Sequence, residues 1–67
     1  MMNHTESKAA RAAREIVAQL QDVPEVALYA RTARAEHAVF LITSYILDHY
    51  NGYSVSVVGD VEIIRKG

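Results

Sequence analysis

The chain has 67 residues, 51% of them hydrophobic, with seven Lys and Arg, eight Asp and Glu, and no cysteine. That length supports one core, and so one small domain over residues 1–67. Lack of cysteine excludes disulfides and thiolate metal sites, and a net charge of -1 excludes the broad basic field that holds nucleic acid.

A domain this small buries only about 60% of the surface its unfolded chain exposes, so association with another polypeptide is the reinforcement left to it. Met1-Met2-Asn3-His4-Thr5-Glu6-Ser7 lacks the apolar core of a secretion signal, which points to the cytoplasm and makes the Asn-His-Thr glycosylation pattern a coincidence. Residues 1–6 are expected to be flexible.

From Ser7 to Gln21, Ala9, Ala13, Ile16, Val17 and Leu20 recur on one helical face, with Lys8, Arg11, Glu15 and Gln19 opposite. This predicts an amphipathic helix capped by Thr5 or Ser7, with an alanine-rich inner face that allows close approach of another element. Asp22-Val23-Pro24-Glu25 ends it, because proline disfavours helical geometry in the residue before it. Residues 26–32 alternate as Val26, Leu28, Ala30 against Ala27, Tyr29, Arg31, and a short strand is the preferred reading. Asp22 and Glu25 also have the spacing of a capping box, so a helix is the alternative.

Residues 33–50 read as a long apolar helix, with Ala35, Ala38, Val39, Ile42, Tyr45, Ile46 and Tyr50 over a wide arc extended by Phe40 and Leu47. Arg34, His37, Ser44 and Asp48 form a narrow polar stripe around Leu41. The β-branched and aromatic content would also suit a strand, but the length argues for a helix. The last segment, Tyr53–Val58, Gly59-Asp60 and Val61–Lys66, is a β-hairpin, since Gly-Asp between β-rich runs supplies the turn. A two-residue loop sets Val58 opposite Val61, Ser56 opposite Ile63 and Val55 opposite Ile64. Tyr53, Val55, Val57 and Ile64 then form the inner face, and Val61 and Ile63 are left exposed or covered by a partner. The fold class is α+β.

No motif carries catalysis. His37 and Ser44 lie about 10 Å apart along a helix, too far for a base to reach a hydroxyl. Asp48-His49 has no further ligand at metal spacing, and neither a phosphate-binding glycine loop nor a nucleophile elbow is present. No enzyme activity, cofactor or metal is expected. The candidate partner-binding residues are the basic Lys8, Arg11, Arg14, Arg31 and Arg34, with Glu15 expected to pair with Arg11, together with Tyr29, Tyr45, Tyr50, Phe40 and Ile63.

The function this suggests is a small protein-binding module, an inhibitor or adaptor docking on a larger assembly or forming a homodimer. Inhibitors of host defence complexes encoded by phages or mobile elements have this size and type. The alternative is a winged-helix-like DNA-binding regulator or antitoxin, which requires residues 26–32 to be helical. It also requires Ala38-Val-Phe-Leu-Ile42, nearly devoid of hydrogen-bonding groups, to read bases. Nucleic acid is therefore the less favoured partner, and nothing in the chain points to a membrane.

Overall fold

The computed structural model describes residues 6–67. Its elements are α1 (Lys8–Gln19), β1 (Glu25–Tyr29), α2 (Ala33–His49), β2 (Tyr53–Val58) and β3 (Val61–Lys66). The Asn3-His4-Thr5 triplet and the possible Thr5 cap lie outside the described residues, whereas Glu6, grouped with the flexible segment, forms an ion pair with Arg14 at 2.6 Å.

Ser7 starts α1 by accepting a hydrogen bond on its side chain from the Ala10 N–H at 3.0 Å, satisfying one of the orphan donors of the first turn. Ala10, Ala13 and Ile16 are buried, and so is Leu20 just beyond the helix. The final turn tightens, with Gln21 N–H donating to the Ala18 carbonyl and Asp22 N–H to that of Gln19, before Pro24 redirects the chain. No capping box forms from Asp22 and Glu25, because residues 25–29 are extended. As a strand, this stretch buries part of Val26 and Leu28 on one face while its backbone pairs with β3. The order helix, helix, helix, hairpin that a winged helix needs is therefore absent.

Thr32 caps α2 by accepting from the Ala35 N–H at 3.0 Å. Glu36 in the first turn and His49 in the last suit the helix dipole. The side of α2 turned inward is narrower than the sequence suggests. Val39, Thr43 and Ile46 are buried, Ala38 is exposed, and Phe40, Leu41 and Leu47 face outward at 61%, 43% and 51% exposure beside Arg34, His37 and Asp48. Thr43 belongs to the core because its hydroxyl donates to the Val39 carbonyl at 3.1 Å, which removes the cost of burying it.

The hairpin has the expected register, Val58↔Val61, Ser56↔Ile63 and Val55↔Ile64. Gly59 takes φ +62° while Asp60 keeps a negative φ, the pattern of a type II′ turn. The short strand and the hairpin are not separate pieces. β1 pairs antiparallel with β3, Val26 opposite Ile64, and the three strands form one sheet in the order β1-β3-β2. Val26, Leu28, Tyr53, Val55 and Ile64 share the inner face and pack with Ala13, Ile16 and Leu20 of the α1 region and Ile42, Tyr45 and Ile46 of α2. Both helices thus cover the same face, leaving the other bare. Val57, expected on the inner face, has the right parity but is 67% exposed, on an outer strand of the sheet.

Candidate partner-binding surfaces

Each helix runs opposite to β1, being joined to it by a short connection, so α1 and α2 lie side by side with their N-termini at the same end. Between them is an open groove of about 410 Å³ lined by Lys8, Ala9, Ala12, Arg34, His37, Ala38, Leu41 and Ile42. The alanines cause it. Ala9 and Ala12 on α1 face Ala38 on α2 without filling the space between the helices, whereas Ala13, Ile16 and Ile46 close the layer deeper down. Lys8 and Arg34 stand at its rim, exposed, and neither takes part in an ion pair among the described residues. The positive ends of two helix dipoles reinforce them.

The other candidate residues do not gather into one surface. Arg11 is exposed and forms no pair with Glu15 among the described residues; Arg14 pairs with Glu6 instead. Arg31 pairs with Asp60 at 3.2 Å, and its guanidinium lies 4.7 Å from the centre of the Tyr29 ring. Tyr29, Val58 and Val61 form one row across the bare face of the sheet, with Ala27, Ser56 and Ile63 in the next. Ile63, on the central strand, is half-buried. Tyr45 and Tyr50 turn inward: both pack against the core, Tyr45 stacked on His49 at 4.0 Å and Tyr50 edge-on to Tyr53 at 6.3 Å. Both are half-buried, with their rings against the core.

His37, Leu41 and the alanines of the groove are not among the partner-binding candidates read from the sequence: His37 enters there only as a catalytic base in a polar stripe around Leu41, and the alanines of α1 only as a face that allows close approach. Their signal is the pairing of small residues on two helices with a cation in the first turn of each. No group of three His, Asp or Glu among the described residues is placed to hold a metal, and no helix among them is long and apolar enough to cross a membrane. The chain matches no protein-family model, no curated protein and no solved structure.

Proposed function

We infer that the protein is a non-enzymatic binding module that works in the cytoplasm as an inhibitor or adaptor, docking on a larger protein through the groove between α1 and α2. The observation that carries this reading is the groove itself, an apolar floor of Ala9, Ala12, Ala38, Leu41 and Ile42 beneath the cations Lys8 and Arg34, which take part in no ion pair among the described residues. Recognition surfaces combine an apolar centre that excludes water with charges at the rim that set orientation. The complementary partner presents apolar side chains flanked by carboxylates. Small inhibitors of the phage and mobile-element kind are built on this scale.

The test is capture from cell extract by the tagged wild-type protein, by Leu41→Glu and by the double variant Lys8→Glu/Arg34→Glu. All three sites are exposed, so thermal unfolding should stay close to wild type. A partner retained by the wild type and lost by both variants supports the reading. Equal retention by all three proteins, or none by the wild type, overturns it.

A further inference from the structure

The backbone groups of β2 point two ways. Gly67 N–H donates to the Gly52 carbonyl, so Gly52 and Gly67 form a hydrogen-bonded pair just beyond the β2–β3 ladder. Bonded and non-bonded pairs alternate in an antiparallel ladder, so Ser54, Ser56 and Val58 turn their N–H and C=O groups toward β3. Those of Tyr53, Val55 and Val57 point away from it. Since β2 is an outer strand of the sheet, they meet no other strand among the described residues.

Edge strands are normally guarded by charge, proline, a bulge or shortness. β2 has none of these: it reads Tyr-Ser-Val-Ser-Val-Val and pairs without a bulge over its whole length. The opposite edge is guarded, since Pro24 precedes β1, Glu25 opens it in an ion pair with Arg65, and the Arg31–Asp60 pair lies just past its end. Val57 and Val58 are 67% and 63% exposed on opposite faces of β2, so no single covering helix could bury both. A strand added alongside presents side chains to both faces of the sheet and can cover Val57 directly.

We propose that β2 is a self-association edge, along which two copies of the chain pair β2 to β2, antiparallel about a two-fold axis, and fuse their sheets into one of six strands. The occupant is a second copy because the edge is self-complementary. A register centred on Val55 sets Tyr53 opposite Val57 of the second copy, which uses every outward-pointing group, and sets Ser54 opposite Ser56 on the other face. No charge meets a like charge. The two-fold axis keeps the helices of both copies on one side of the joint sheet. Phe40 and Leu47, two turns apart, lie on the flank of α2 turned away from the groove and α1. A right-handed β1–α2–β2 crossover would turn that flank toward the β2 side of the sheet.

The test is sedimentation equilibrium of the full chain with amide hydrogen exchange, on the wild type, Val57→Pro and Ala27→Pro. Proline at 57 removes an N–H from the free edge and leaves the β2–β3 bonds intact, whereas proline at 27 does the same to β1. The wild type should sediment at twice its 7.4 kDa, with the Val55 and Val57 amides protected. Val57→Pro should weaken the dimer about 30-fold, two interchain bonds being lost, and Ala27→Pro should not change it. Should Val57→Pro fail to fold, Val57→Lys takes its place, and the protection of the wild-type amides decides independently. A wild type that is monomeric at millimolar concentration overturns the proposal. So does a dimer dissociated by Ala27→Pro, or open-ended growth beyond two copies.

Discussion

Among the described residues, Ile46 and Ile64 are the two large side chains that see no solvent, one from α2 and one from the central strand, and both belong to one hydrophobic core cluster. Ile46→Ala should cost about 2–5 kcal/mol, most of what a domain this small has, so the variant should be largely unfolded by circular dichroism at 37 °C. Thr43 makes the contrasting case. Its hydroxyl bonds only to carbonyls of its own helix, so Thr43→Val strands no buried donor and should shift stability by less than about 1 kcal/mol in chemical denaturation. Helical periodicity makes Ile46 legible as core, but it passes over Thr43, because residue polarity hides a hydroxyl that satisfies itself locally. Val57 fails for a different reason. Alternation gives the correct face, yet whether a helix covers an outer strand on that face depends on how the layers pack, and that is not written in the strand.

Elements with local causes are the ones the sequence declares. The hairpin follows from Gly59-Asp60, and its register from the loop length, so all three expected pairings are present. Gly59→Val forces a β-branched residue to φ +62° and should cost about 1–2 kcal/mol, read as a lower denaturation midpoint. The N-cap of α2 is a second local device, and Thr32→Ala should cost about 1 kcal/mol by removing the acceptor of the Ala35 N–H. The pairing of β1 with β3 is different, because Glu25 and Arg65 meet across 40 positions of sequence, and nothing near either residue names the other. The groove is hidden in the same way. Ala9, Ala12 and Ala38 each read as good helix formers, and only the side-by-side packing of α1 and α2 turns them into a floor.

On the scale of the whole molecule, the two proposed surfaces differ in the force each would use, and salt separates them. The β2 edge carries no charge, and the three described ion pairs are exposed and worth little. Raising sodium chloride from 0.1 to 1 M shortens the screening length from about 10 Å to about 3 Å. Neither the dimer fraction nor the unfolding midpoint should fall. The groove depends on Lys8 and Arg34, so capture of its partner should weaken several-fold over the same range, with the loss mainly in the association rate. Dimerisation that fades with salt would mean that charged residues outside β2 hold the copies together. Capture unaffected by salt would mean that the apolar floor alone binds, and that the cations at the rim do not choose the partner.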